Sequence, residues 1–177
     1  KPLYSYRADK LSRPASAMKL LTAITALSRP DADEPFRTEV WHDGVIEHDT
    51  LQGNLYVVGG FDPEFDSQAM DSLIEEVMTF PFSVINGQVY GDVSMKDSLY
   101  WGHGWAWDDT PAGYQPYLSP LMFCKGTVQI SVFPSAVQGD TASISCKPVS
   151  SYYTLTNRTK TRTSSAGKFS FSRDWLR

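Results

Sequence analysis

The segment that most constrains this chain is Arg13-Pro14-Ala15-Ser16-Ala17-Met18-Lys19-Leu20-Leu21-Thr22-Ala23-Ile24-Thr25-Ala26-Leu27. It reads as a helix, with Pro14 at the first helical position, where a missing N–H does no harm. Met18, Leu20, Leu21, Ala23, Ile24 and Leu27 give it a broad apolar surface, so most of the helix is expected to be buried under other elements. Ser16 and Lys19 stand three residues apart, one turn along the same face. Serine is a poor nucleophile until a base takes its proton. Lysine serves as that base when burial and nearby positive charge disfavour its ammonium form. The first-turn N–H groups also favour an oxyanion formed after attack.

The pattern alone proves little. With 20 Ser and 8 Lys in 177 residues, about one Ser-x-x-Lys match arises by chance. A second match does occur, Ser165-Ala166-Gly167-Lys168, in a polar run where no buried helix is expected. The first match is set apart by its place, Pro-Ala-Ser opening an apolar helix. A helix whose Ser and Lys face solvent is the plain alternative.

Residues 2–7 alternate weakly and predict a strand, and the helix should stop near Ser28-Arg29-Pro30. Asp43-Gly44 predicts a two-residue hairpin joining 36–42 to 45–49, with His42 facing Val45 and His48 facing Glu39. Leu51 to Val58 reads as a strand ended by Gly59-Gly60, followed by a turn at Asp62-Pro63. Ser67 is the expected cap of a helix running to about Phe80, with Met70, Leu73, Ile74 and Val77 on one face. Val84 to Ser94 reads as strand around an Asn86-Gly87 turn. Val128–Phe133 and Ala142–Cys146 predict a hairpin around Gln138-Gly139-Asp140. The tail from Lys147 is rich in Ser, Thr and basic residues, with β-prone runs at Tyr152–Thr156 and Phe169–Ser172. A helix followed by a long run of mainly β elements suggests a catalytic domain interrupted by an insertion.

Residues 100–117 form a loop crowded with aromatic side chains. Trp105, Trp107 and Tyr114 beside Asp108 and Asp109 would make a ligand wall with an anionic end, suited to an ammonium group. A small satellite core with turn-capping aspartates is the alternative. The three histidines do not converge with a third ligand, so no metal is expected. Cys124 and Cys146 fall near the two ends of the later hairpin, and their pairing is left open. A net charge of −4 argues against nucleic acid as a bulk partner. No run of 18 apolar residues is present to span a membrane, and no secretory leader opens the chain. Asn157-Arg158-Thr159 fits a glycosylation acceptor, meaningful only in a secreted eukaryotic protein.

Taken together, these pieces resemble a known family. Leu11-x-Arg13-Pro14-Ala15-Ser16-x-Met18-Lys19-Leu20-x-Thr22-Ala23 resembles the nucleophile segment of penicillin-binding proteins. Four further runs narrow the match: Phe36-Arg37-Thr38-Glu39-Val40; Leu51-x-Gly53-Asn54-Leu55-Tyr56-Val57-x-Gly59-Gly60-x-Asp62-Pro63; Gly87-x-Val89-Tyr90-Gly91-Asp92-x-Ser94; and Gly104-Trp105-x-Trp107-Asp108-Asp109. In that order they are similar to the class C low-molecular-mass penicillin-binding proteins, the periplasmic D-Ala-D-Ala carboxypeptidases and endopeptidases. The match is good over about residues 3–133 and loose in the tail.

The resemblance implies an α+β fold. It is part of a serine penicillin-recognising (β-lactamase-like transpeptidase) domain, an antiparallel sheet with helices on both faces, carrying inserted β-rich domains. Residues 1–37 would be the N-terminal part of the catalytic domain, 38–134 an inserted α+β domain, and 135–177 the start of a second, β-rich insertion. By the resemblance, Ser16 attacks the penultimate D-Ala carbonyl of a peptidoglycan stem peptide and Lys19 takes its proton. Asp109 and Tyr114 match positions that help hold the free amine of diaminopimelate. β-Lactams would acylate the same serine, in the bacterial periplasm, with no cofactor. Oligomeric state is left open, a homo-oligomer included. Phe61 replaces a glycine usual before Asp-Pro. The Ser-x-Asn and Lys-Thr-Gly motifs of the family do not occur in residues 1–177, so the chain is expected to be an N-terminal fragment. The alternatives are a non-catalytic peptidoglycan-binding or scaffolding domain and, fitting less well, a small β-lactamase.

Overall fold

The computed structural model describes residues 2–106, 109, 112–163 and 169–174. Trp107, Asp108 and the second Ser-x-x-Lys match, Ser165 to Lys168, lie outside the described residues. Contacts divide the chain into two compact units, Lys1–Pro35 and Phe36–Arg177.

In the first unit a single 3-10 turn, Ala15–Ala17, leads into helix α1, Met18–Leu27. Pro14 stands just ahead of the turn with φ −70°, and its carbonyl accepts from Ala17 N at 2.9 Å. The helix ends at Ser28, whose N–H still reaches Ile24 O at 3.1 Å, two residues before Pro30. The strand expected over residues 2–7 is absent; no described strand precedes Glu39. A strand needs a partner for its backbone groups, and weak alternation does not supply one. The expected burial of α1 is also not observed. None of its described residues is buried, and Leu20, Ile24 and Leu27 are 66%, 63% and 78% exposed. An apolar sequence supplies the demand for cover but not the cover itself.

The second unit is built on two three-stranded sheets whose pairings continue one another. β1 (Glu39–His42) runs antiparallel to β4 (Leu55–Val58), which runs parallel to β6 (Val89–Asp92). β2 (Val45–Glu47) runs antiparallel to β3 (Thr50–Gln52), which runs parallel to β5 (Val84–Ile85). Each parallel pair needs a crossover, and α2 (Ser67–Val77) provides it for both. Between the two sheets the pairing is carried by Asp43 N to Asn54 O at 3.2 Å, Asn86 N to Leu51 O at 2.9 Å and Leu55 N to Gln88 O at 2.9 Å. The two sheets therefore read as one set of three long strands, each broken at one level.

This arrangement corrects the hairpin expected at Asp43-Gly44. The two flanking strands do not pair with each other; His42 faces Leu55 and Glu39 faces Val58. Gly44 has φ +77°, and a methyl group on it would lie 2.1 Å from Gln52 O, so the break needs glycine here. The two-residue turn is instead His48-Asp49, between β2 and β3, with φ of 47° and 65°. Two consecutive positive φ values are the signature of a type I′ turn, and His and Asp tolerate them better than most side chains.

Asp43 serves as the clamp of the break. Its carboxylate accepts from Asn54 N at 2.6 Å, Asn54 Nδ2 at 3.0 Å and the Tyr56 hydroxyl at 2.7 Å. Asn54 Oδ1 in turn accepts from Gln88 N at 3.0 Å, which ties in the third strand. Those bonds, led by the Asn54 N–H, hold the Asp43 carboxyl down at about 2. The same contact raises the Tyr56 phenol, since Tyr56 donates to a carboxylate.

Helix α2 is capped by Asp66 rather than Ser67. The Asp66 carboxylate accepts from Gln68 N and Ala69 N, each at 3.0 Å. The helix ends at Val77, and tighter turns carry the chain to Phe80. Leu51, Leu55 and Phe82 form the buried core, with Val40, Ile46, Val77 and Ile85 packed against them. Phe61 sits at φ +61°, the left-handed conformation that favours glycine, with its N–H on Pro120 O at 2.9 Å.

β7 (Gln129–Phe133) and β8 (Ser143–Lys147) form the expected antiparallel hairpin, with Gly139 at φ +92° in its connection. The runs Tyr152–Thr156 and Phe169–Ser172 form no described strand. Instead, residues 157–161 are pinned to the hairpin by side chains. Asn157 Nδ2 donates to Ala142 O at 2.8 Å, and Thr159 and Thr161 accept from Ala142 N and Ser135 N. The Asn157 amide thus has a structural use. Cys124 and Cys146 are both free thiols, each half-buried. The architecture is α+β, as expected.

Candidate active site

Ser16 lies at the centre of the 3-10 turn and Lys19 on the first turn of α1. Ala15, immediately before the serine, has φ +44°. For an alanine that conformation costs about 1–2 kcal/mol. The strain stands at the entry to the helix, where the backbone swings into the turn that carries Ser16. No acidic residue occupies the first turn of α1 and no side chain caps it. The positive end of the helix dipole therefore faces the serine without a competing carboxylate. Ser16 and Lys19 are both exposed.

Asp109 and Tyr114 belong to the second unit, in the loop between β6 and β7. A series of short turns shapes that loop. Asp109 N reaches Ala106 O at 3.4 Å, Ala112 N reaches Asp109 O at 2.8 Å, and Gln115 N reaches Ala112 O at 3.0 Å. The turns bring Asp109 and Tyr114 together, and the Tyr114 hydroxyl donates to Asp109 Oδ1 at 2.8 Å. Tyr114 is 77% exposed and Asp109 is half-buried. A carboxylate beside an exposed aromatic ring offers both charge and a π-face to a cation.

Of the aromatic wall expected of Trp105, Trp107 and Tyr114, Trp107 lies outside the described residues. Trp105 packs edge-on against Trp101 with centroids 5.7 Å apart, and Trp101 also meets Tyr117 at 5.6 Å. Arg173 of the tail lies over the Tyr117 ring at 4.9 Å. Trp101, Trp105, Tyr117 and Arg173 thus form one cluster of packed side chains. Sequence reasoning missed Gln115, which is buried and donates from Nε2 to Ala106 O at 3.1 Å, fixing the loop from inside. A lone glutamine in an aromatic loop carries no signal of that role. Among the described residues no cluster of His, Cys, Asp and Glu could hold a metal ion.

Comparisons with known proteins bear on the family. Residues 1–172 match the D-Ala-D-Ala carboxypeptidase 3 (S13) family. A D-alanyl-D-alanine carboxypeptidase of Actinomadura sp. (strain R39) is 32% identical over 165 residues, covering 90% of this chain and 30% of that protein. The D-alanyl-D-alanine carboxypeptidase DacB of Haemophilus influenzae is 32% identical over 104 residues, covering 59% of this chain and 22% of its own length. The crystal structure of penicillin binding protein 4 (dacB) from Haemophilus influenzae is similar with a TM-score of 0.69 and 26% identity, over 80% of this chain and 31% of that one. The chain thus spans under a third of the length of these relatives. With nearly all of its residues matched to one family, this chain belongs to the D-Ala-D-Ala carboxypeptidase 3 (S13) family.

Proposed function

We propose that this chain is the nucleophile-bearing part of a serine D-Ala-D-Ala carboxypeptidase and endopeptidase that works on peptidoglycan stem peptides through an acyl-enzyme. The observation that carries the reading is Ser16-x-x-Lys19 at the mouth of α1, in a chain matched to the family over residues 1–172. On this reading Ser16 Oγ attacks the carbonyl carbon of the penultimate D-Ala. Lys19 takes the hydroxyl proton as the new C–O bond forms. The proton then passes to the leaving amine of the terminal D-Ala as the peptide bond breaks. Water later cleaves the ester, and its proton returns to Ser16. A β-lactam opens on the same oxygen and leaves slowly. Asp109, with Tyr114 beside it, holds the free ammonium of the stem peptide. Peptidoglycan places the work in the bacterial envelope.

Residues 1–37 are read as catalytic-domain sequence, 38–134 as an inserted α+β domain and 135–177 as the beginning of another. The family's Ser-x-Asn and Lys-Thr-Gly motifs are not in this sequence, so this segment alone is expected to be inactive and the test uses the full-length protein. Labelled penicillin should attach covalently to it, and Ser16→Ala should abolish the label. Retained labelling in Ser16→Ala removes Ser16 as the nucleophile. No labelling of the unaltered protein favours a non-catalytic peptidoglycan-binding role instead.

A further inference from the structure

Among the described residues Gln115 is the one buried polar residue, 5% exposed. A buried amide is costly unless it is hydrogen-bonded, so its partners matter. Its Nε2 donates to Ala106 O at 3.1 Å, nine residues back along the aromatic loop. The same carbonyl accepts the Asp109 N–H at 3.4 Å, longer than the usual amide range of about 2.7–3.2 Å. The side chain is therefore the firmer hold on Ala106. Ala112 N then reaches Asp109 O at 2.8 Å, and Gln115 N reaches Ala112 O at 3.0 Å. The turns run from Ala106 through Asp109 and Ala112 to Gln115, and the Gln115 side chain closes them into a ring back on Ala106. Asp109 is a member of this ring, and Tyr114 directly precedes the residue that closes it. Both ends of the ring are fixed on Trp101. Trp105, just before Ala106, packs on that indole at 5.7 Å, and Tyr117, just beyond Gln115, packs on it at 5.6 Å. A methyl group on Gly102 would lie 2.4 Å from Trp105 Nε1, so the Trp105 indole is folded tightly onto the backbone there.

From this ring we infer that Gln115 is a positioning residue that sets the preference of the Asp109–Tyr114 pair for a free ammonium group, an inference that rests on the reading of that pair as the ammonium site. The Tyr114 hydroxyl donates to Asp109 Oδ1 at 2.8 Å, so the direction of the carboxylate depends on where both backbones stand. Losing the Gln115 amide opens the ring at its side-chain link and leaves only the 3.4 Å turn bond on Ala106 O. Asp109 and Tyr114 then drift relative to one another, and the carboxylate loses the direction that matches an incoming N–H. A charge-assisted bond depends on that direction, whereas an acetylated amine carries no charge and gains little from it. Gln115, being buried, acts through Asp109 and Tyr114. Ser16 and Lys19 belong to the other compact unit, so the loss falls on recognition of the amine and not on attack.

The test uses the full-length protein and two stem peptides, one with the diaminopimelate amine free and one with it acetylated, and reads the ratio of their kcat/KM. Asp109→Asn, which removes the charge, is the reference. Gln115→Met keeps nearly the length of the side chain and Gln115→Leu keeps its bulk; neither can donate to Ala106 O. Each is expected to lower the ratio about tenfold, through KM for the free-amine peptide. Labelled penicillin attached through Ser16 identifies folded protein. If Gln115→Leu fails to take the label, Gln115→Met decides. If neither takes it, or if both peptides suffer equally, Gln115 serves general stability and the proposal is overturned. A ratio unchanged in both Gln115 variants while Asp109→Asn lowers it overturns the inference and leaves the reading of the pair standing. A ratio that Asp109→Asn itself leaves unchanged removes the ammonium site, and the inference with it.

Discussion

The Tyr114 hydroxyl donates to Asp109 Oδ1 at 2.8 Å across the turns of the aromatic loop. The bond orients the carboxylate and leaves the exposed phenol ring alongside it. If this pair receives an ammonium, Asp109→Asn removes the charge and should raise KM for a stem peptide with a free amine by about 10- to 100-fold, the worth of one charge-assisted contact. Tyr114→Phe should have a smaller effect in the same direction. A substrate with that amine acetylated should respond to neither change. An equal loss on both substrates would mean that the pair serves only the loop.

Lys19 follows Ser16 by one turn. As the base, its loss in Lys19→Ala should slow penicillin acylation by about 10² to 10⁴. Lys19→Arg should be nearly as slow, because a guanidinium stays protonated and cannot accept the serine proton. Acylation rates measured with labelled penicillin on the full-length protein decide this. A Lys19→Arg protein as fast as the parent would make Lys19 a source of charge and not a base.

Asp43 links the strand break to pH. Its carboxyl is held at about 2, below the ordinary 3.8, chiefly by the Asn54 N–H and then by the Asn54 amide and Tyr56 hydroxyl. A carboxyl lowered by folding adds stability that is present above its unfolded pKa and is lost as pH falls toward the folded one. The denaturation midpoint should therefore fall between about pH 4 and pH 2. Asp31, Asp92 and Asp97 are lowered as well and contribute in the same direction. The share belonging to Asp43 is the part of that slope missing in Asp43→Asn. Identical acid profiles for parent and variant would contradict the role assigned to the clamp.

Phe61 holds φ +61° with its ring half-buried. Both Phe61→Gly and Phe61→Ala lose the ring, but only glycine also loses the conformational penalty. Phe61→Gly should be the more stable of the two by about 1 kcal/mol, the reverse of the usual order of alanine and glycine. Urea denaturation of the pair measures the difference. Alanine equal to or better than glycine would argue against a left-handed residue at this turn.

Much of this protein was legible residue by residue. The helix after Pro14, the apolar face of α2 and the hairpin from Gln129 to Lys147 follow from local periodicity and turn chemistry. The ordered motifs around Ser16, Gly53-Asn54 and Trp105 identified the family. Other features depended on atoms far away in the chain. Asp43-Gly44 carries a strong hairpin signal, yet Asn54, Tyr56 and Gln52 make it a break in a continuous strand, while the turn falls at His48-Asp49. Nothing local distinguishes Asp66 from Ser67 as the cap. Nothing local reveals that β4 and β6 are parallel neighbours. Periodicity says which face of an element is apolar; the residues that meet that face are chosen by pairing and packing across long stretches of chain, and only the tertiary structure decides them.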